Sequence, residues 1–171
     1  MKLSLVPDFR FDRFSDATLE FLESQGIKGV ILDIDNTLEP YENPTPSDAV
    51  NEWLNKLNQN GINAAFVSNN GKERVDKFNR ELRLPAFPKA KKPFAKSLKL
   101  AMEKMGSNKS NTLIMGDQVF TDVLAGRMAG IKTVLVPPIK DKRDIFTRFK
   151  RLLEKPILKK YDKIHKRNKD K

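Results

Sequence analysis

A parallel α/β sheet with helices on both faces is the fold this sequence predicts, and three observations predict it. Apolar runs recur at residues 29–33, 62–68, 111–115 and 131–136. Stretches with apolar residues at helical spacing separate them. Three of the runs end in polar residues: Asp33 with Asp35, Ser68-Asn69-Asn70, and Gly116-Asp117-Gln118. Strands alternating with helices argue for a parallel sheet covered on both sides. In such a sheet ligands bind outside the carboxyl ends of the strands, so these polar ends share one edge.

The elements follow in order. Residues 16–25 read as a helix, and Gly29-Val30-Ile31-Leu32 as the first core strand. Thr45-Pro46-Ser47-Asp48 reads as a helix start, with a hydroxyl cap, proline in the first position and then an acid. Val50, Trp53, Leu54 and Leu57 continue on one face, which assigns Trp53 to the core, and Gly61 ends the helix. After the strand at 62–68 come a helix over 71–82 and a short strand within Pro85-Ala86-Phe87-Pro88. Phe94 to Met105 is a helix with Leu98, Ala101, Met102 and Met105 inward. A strand at 111–115, a helix over 122–129, a strand at 131–136 and a helix over 143–155 complete the domain. Phe9, Phe11 and Phe14 are expected to cover an edge of the core. We read residues 1–155 as one domain and 156–171 as a basic tail.

Composition narrows the chemistry. The chain of 171 residues is long enough for one domain with a real core. It has no cysteine and one histidine, His165, so thiol catalysis, zinc ribbons and a Ser-His-Asp triad are excluded. Catalysis must rest on carboxylates, lysines, hydroxyls or a bound ion. There is no apolar run near the ~20 residues needed to cross a bilayer, and the start is too soon broken by charge to be a signal peptide. A cytoplasmic protein is expected. The net charge is +11, and residues 140–171 carry 14 Lys+Arg against 5 Asp+Glu, so that segment alone holds +9. Such a segment favours nucleic acid or an anionic membrane surface.

The strand ends carry the chemistry. Asp33 and Asp35 present two carboxylates at one point, which suits a nucleophile with an acid/base partner, a metal site, or a solvated turn. Asp117 and Asp122 add carboxylates from another strand end, and carboxylates from two strands can hold a hard cation. Ser68 and a lysine from Lys89-Ala90-Lys91-Lys92-Pro93 suit the oxygens of a phosphoryl group. Asp122 could instead cap the helix it begins. Asn69 and Asn70 could simply form the turn after their strand.

The ordered set Asp33-x-Asp35-x-Thr37, Ser68, Lys92 and Gly116-Asp117-x(4)-Asp122 resembles the haloacid dehalogenase superfamily of phosphotransferases, all four of whose motifs occur across residues 29–122. Val67-Ser68-Asn69-Asn70, Lys89-Ala90-Lys91-Lys92-Pro93, Gly116-Asp117-Gln118-x-x-Thr121-Asp122 and Phe146-Thr147-Arg148-Phe149 narrow the resemblance to the YqeG-like branch, which includes phosphatidylglycerophosphate phosphatases. The resemblance implies a three-layer Rossmann-like core and a phosphomonoester hydrolase with an aspartyl-phosphate intermediate. It makes Asp33 the nucleophile and Asp35 the proton carrier. Ser68, Asn69, Thr37 and Lys92 are then expected around the phosphoryl group. Asp33, the backbone carbonyl of Asp35, and Asp117 are expected to coordinate Mg²⁺, with Asp122 in support. The implied reaction converts phosphatidylglycerophosphate to phosphatidylglycerol.

Spacing adds to this. The 32 residues between Asp35 and Ser68, and the 23 between Ser68 and Lys92, are already used by core elements. No cap domain fits, so the site is expected to be open to a large or surface-bound substrate. An anionic lipid headgroup fits best. A nucleic-acid end or a phosphoprotein is the alternative, as is a lapsed enzyme serving as an RNA or membrane adaptor. The apolar stripe Ile145, Phe146, Phe149, Leu152 and Leu153 is expected to pack on the sheet. Ile157, Leu158, Tyr161 and Ile164, set among lysines, are expected to offer peripheral membrane contact or a solvated tail.

Overall fold

The computed structural model describes residues 4–140 and 145–169, apart from the side chains of 145–151 and 166–169. The strands are β1 (Phe9–Arg10), β2 (Gly29–Leu32), β3 (Asn63–Val67), β4 (Ala86–Phe87), β5 (Thr112–Gly116) and β6 (Lys132–Leu135). They form one sheet in the order β1-β6-β5-β2-β3-β4. Every pairing is parallel. The helices are α1 (Leu19–Ser24), α2 (Asp48–Gln59), α3 (Lys72–Asn79), α4 (Lys96–Met105), α5 (Leu124–Ala129) and α6 (Ile145–Lys169).

The sheet separates two cores. Val30 and Leu32 of β2 face one side, where Phe66, Leu113 and Met115 join the inward residues of α1, α2 and α3. Ile31 faces the other, with Ala65, Val67, Ile114 and the inward residues of α4 and α5. The alternation follows from the period-2 geometry of strands. All four residues of β2 are buried, as a central parallel strand requires. The expected faces of α2 and α4 are buried in full, Trp53 included. The indole N–H of Trp53 donates to the Ala17 carbonyl at 3.1 Å.

Register then sets the edge. Leu32 stands level with Phe66 on one side and Met115 on the other. Met115 in turn stands level with Val134. The residues that follow these strands therefore emerge together. Residues 33–47 form a connection with two short turns in it, and α3 begins soon after β3, so neither interval holds a cap domain.

Several expectations need correction. The sequence reading missed β1, a two-residue strand that pairs with β6. Phe9 and Phe11 do cover an edge, each meeting Phe21 edge-to-face at centroid distances of 4.9 and 5.0 Å. Helix α2 is capped by Ser47, not Thr45: the Ser47 hydroxyl accepts from the Val50 N–H, while the Ser47 N–H donates to Glu39 Oε1 at 3.0 Å. That carboxylate keeps the chain extended through Pro46. A π-turn over Val119–Val123 precedes α5, which is shorter than the helix expected over 122–129.

Helix α6 does not stop before Pro156 but runs through it. Proline costs a helix one hydrogen bond and a clash, yet packing beyond it compensates. Ile157 and Leu158 lie against Val119, Val123 and Leu135. Tyr161 accepts from the Arg10 N–H at 3.1 Å, and Asp162 pairs with the Arg10 guanidinium at 2.7 Å. The packing of the expected stripe is thus largely reversed where it is described: Leu152 and Leu153 are exposed, and Ile157, Leu158 and Tyr161 are engaged, while Ile164 stays exposed. The side chains of Ile145, Phe146 and Phe149 lie outside the described residues. No helix among the described residues is long and apolar enough to cross a membrane.

Candidate active site

The site assembles at the carboxyl edge of the sheet. Asp33 leaves β2 with its N–H donating to the Met115 carbonyl at 3.0 Å, which ties the end of β2 to the end of β5. A first turn follows, in which Leu38 N–H donates to the Ile34 carbonyl at 3.0 Å. Asn36 takes a left-handed conformation (φ 63°), one that Asn tolerates better than most residues. The chain thereby folds back and both acids stay buried.

Three carboxylates converge there. Asp33, Asp117 and Asp122 each place one oxygen within 4.8 Å of the others. Lys92 comes from the far side, its ammonium donating to Asp33 Oδ1 at 2.8 Å and to Asp122 Oδ1 at 2.6 Å. Of the three candidate lysines, then, Lys92 is the one that joins the acids. Asp122 also accepts from the Gln118 N–H at 3.1 Å through its other oxygen, so it closes its own turn while facing the site. Gly116 makes that placement possible, because a Cβ there would fall 2.2 Å from the Asp122 carboxyl carbon.

The electrostatics leave the cluster short of positive charge. Burial, reinforced by the charges of Asp122 and Asp117, pushes the Asp33 carboxyl up from 3.8 to about 7, although Lys92 opposes it. Burial disfavours the Lys92 ammonium, but Asp122 and Asp33 outweigh that and hold its pKa above the ordinary lysine value. A hard divalent cation prefers such a set of carboxylate oxygens. The residues present therefore fit Mg²⁺ held by Asp33, Asp117 and Asp122.

Asp35 lies in a different setting. One oxygen accepts from Arg74 Nε at 3.0 Å, with Arg74 Nη2 at 2.9 Å, and the other accepts from the Asn70 side-chain amide. Ser68 is buried, its hydroxyl accepting from the Asn70 N–H at 3.1 Å, which leaves its own proton to donate elsewhere. The hydroxyl oxygen of Thr37 is buried and has no hydrogen-bond partner among the described residues, so it can donate to a phosphoryl oxygen. The Asn69 amide accepts from the Lys92 N–H at 2.7 Å and donates to the Lys92 carbonyl at 3.2 Å. Asn69 thus holds the lysine's backbone.

Sequence reasoning missed three of these contributors. Arg74 sits in the first turn of α3, three elements on from β2, in the stretch 71–82 that the sequence marks only as a helix. An arginine in the first turn after a polar strand end is the signal that could have found it. Asn70 was legible as part of a polar strand end or of the turn after it, but not as a partner of Asp35. Glu154, buried on α6, accepts from the Val119 N–H at 2.9 Å and so anchors the turn that carries Asp122.

Comparison with known proteins follows the same lines. Residues 16–136 match the model of the haloacid dehalogenase-like hydrolases. The chain is 35% identical over 158 residues to the probable phosphatase YqeG of Bacillus subtilis (strain 168), covering 92% of each chain. Among solved structures, the cobalt-bound deoxy-D-mannose-octulosonate 8-phosphate phosphatase of Haemophilus influenzae aligns over 67% of this chain and 80% of its own, with a TM-score of 0.53 and 17% identity. Phosphate-bound CbbY of Rhodobacter sphaeroides aligns over 70% and 90%, with a TM-score of 0.56 and 10% identity. These two share the fold. Family match, sequence relative and site geometry agree, and the chain belongs to the haloacid dehalogenase-like hydrolases, as a phosphatase of their YqeG-like branch.

Proposed function

We propose that this phosphatase is a Mg²⁺-dependent phosphomonoesterase acting on phosphatidylglycerophosphate, with Asp33 as nucleophile and Asp35 as proton carrier. The observation that carries the reading is the separation of the two acids: Asp33 joins Lys92, Asp117 and Asp122, while Asp35 is held apart by Arg74 and Asn70.

The chemistry runs in two displacements. An Asp33 oxygen attacks phosphorus and the phosphorus–oxygen ester bond breaks, leaving an aspartyl-phosphate. Asp35, as the carboxylic acid, gives its proton to the departing alkoxide. Asp35, now a carboxylate, takes a proton from water, whose oxygen attacks the same phosphorus; inorganic phosphate leaves and the Asp33 carboxylate returns. Lys92 offsets charge on the phosphoryl oxygens, and the Ser68 and Thr37 hydroxyls donate to them. Mg²⁺, when bound, supplies the remaining positive charge between nucleophile and substrate. Arg74 and Asn70 fix the direction from which Asp35 works.

Two features support a lipid substrate. Among the described residues no cap domain lies over the edge. An open groove of about 800 Å³ begins at Asp117 and runs between Pro137, Pro138 and Ile139 on one side and Lys155 and Tyr161 of α6 on the other. Arg10 and Lys155 line it beside Asp12, Asp117, Glu154 and Asp162, so its apolar wall, rather than its charge, is the feature that suits a glycerol-linked headgroup. The test is phosphate release from phosphatidylglycerophosphate in detergent micelles with Mg²⁺, beside an Asp33→Asn control and a 5′-phosphorylated oligonucleotide. Release from the lipid well above both is expected. Equal or faster release from the oligonucleotide overturns the lipid assignment and leaves the chemistry standing.

A further inference from the structure

Besides the basic C-terminal segment, a second basic surface lies beside the site. Lys89, Lys91 and Lys96, together with Phe94 and Leu100, line one open pocket of about 420 Å³. No acidic residue lines it, and none of the three lysines pairs with a carboxylate among the described residues. Phe94 is 63% exposed and Leu100 41%, although both belong to the core-forming vocabulary.

The segment is rigidly presented. The Lys89 N–H donates to the Asn70 carbonyl at 2.8 Å, and the Ala90 N–H to the Ser68 carbonyl at 3.0 Å. The Ser97 hydroxyl of α4 donates to the Ala90 carbonyl at 3.2 Å. Lys89 and Lys91 both adopt left-handed backbone angles (φ 49° and 55°), a costly conformation for residues other than Gly, Asn and Asp. The result is an alternation in which Ala90 and Lys92 point inward and Lys89 and Lys91 point out. Strain of this kind is kept where the surroundings over-determine it, which is most often at functional surfaces.

We propose that Lys89, Lys91, Lys96, Phe94 and Leu100 form the docking patch by which the enzyme sits on an anionic bilayer. The proposal rests on the reading of the substrate as a membrane lipid. An aromatic ring and a leucine between three unpaired ammonium groups match the two layers of an anionic membrane surface, apolar below and negative above. The patch is continuous with Lys92, so docking brings lipid phosphates to the mouth of the site. On α6, by contrast, Ile157, Leu158, Tyr161 and Asp162 are turned to the domain. The exposed Leu152, Leu153 and Ile164 on α6 are the competing surface.

Co-sedimentation of the full chain with phosphatidylglycerol or phosphatidylcholine vesicles tests this. The variants are Phe94→Ser/Lys96→Glu for the patch and Lys159→Glu/Lys160→Glu for α6. An acid in the first turn of α4 suits the helix dipole, so the patch variant keeps its helix. Turnover of p-nitrophenyl phosphate gates both variants for an intact site, and Lys96→Gln alone serves if the double variant fails that gate. Partitioning to phosphatidylglycerol should fall about tenfold in the patch variant, or about threefold in Lys96→Gln, and by less than twofold in the α6 variant. Equal partitioning of parent and patch variant, a larger loss in the α6 variant, or parent binding to phosphatidylcholine as strong as to phosphatidylglycerol overturns the patch. Displacement of the parent from vesicles by a single-stranded oligonucleotide at equal charge overturns it in favour of nucleic acid. Turnover of the lipid in detergent micelles needs no bilayer, so its loss would count against the substrate reading and its retention with unchanged partitioning against the patch alone.

Discussion

Asp33 and Asp35 leave the same strand two residues apart and end in opposite settings. Asp33 shares a buried cluster with two further carboxylates and one ammonium, and its carboxyl is raised to about 7. Asp35 meets no second carboxylate in that cluster and is gripped by a guanidinium and an amide. One strand end thus supplies two unlike acids, and the partners come from elsewhere: Lys92 and Asp122 for the first, Asn70 and Arg74 for the second. Pairs of carboxylates held in different environments are how one site divides nucleophile from proton carrier.

The largest expected effect is at Asp33. Asp33→Asn should lower turnover of any phosphomonoester by about 10⁴-fold or more, since the attacking atom is gone. It should also change stability in the opposite direction. Between 3.8 and about 7 the folded protein keeps a proton on Asp33 that the unfolded chain has lost. Metal-free parent protein therefore loses stability as pH rises through that window and does not regain it above. The asparagine variant should escape the loss, standing up to about 4 kcal/mol above the parent at pH 8 and level with it near pH 4, by urea denaturation. A variant less stable than the parent at both pH values would break the account of the cluster.

Lys92→Met comes next. It leaves three buried acids without their cation, so metal-free protein should lose about 3 kcal/mol, the usual result of stripping one partner from a buried pair. Mg²⁺ should restore part of that loss and little of the activity. Denaturation with and without Mg²⁺ measures both. Arg74→Gln tests the other acid. It should lower kcat by about 10- to 100-fold with little change in KM, and it should move the pH profile of kcat. An unchanged pH profile would reduce Arg74 to a structural contact. Gly116→Ala is the smallest. Its Cβ would meet the Asp122 carboxyl carbon at 2.2 Å, so Asp122 must shift, costing about 1–2 kcal/mol and weakening Mg²⁺ binding by calorimetry.

Much of this was legible in the sequence because the central strands are short, apolar and end in the residues that do the chemistry. Leu32, Val67 and Met115 report burial, and Asp33, Ser68 and Asp117 report the edge. What was not legible depends on tertiary override. Strand β1 has two residues, too few for any alternation to show. Pro156 signals a helix end, yet it is exposed, and the contacts of Ile157, Leu158 and Tyr161 beyond it carry the helix on. Thr45 and Ser47 are both good caps by type, and a buried acid eight residues before Ser47 decides between them. Arg74 meets Asp35 across 39 positions of sequence, and only its place in the first turn after a polar strand end hints at the pair.

The division of labour between the two acids is tested most directly by trapping. p-Nitrophenolate departs without needing a proton, so Asp35→Asn should still form the covalent intermediate and fail to hydrolyse it. The variant, incubated with p-nitrophenyl phosphate and Mg²⁺, quenched in acid and mapped by mass spectrometry, should carry a phosphoryl group on Asp33. A phosphoryl group on Ser68, or none on a variant that still turns over, would contradict it.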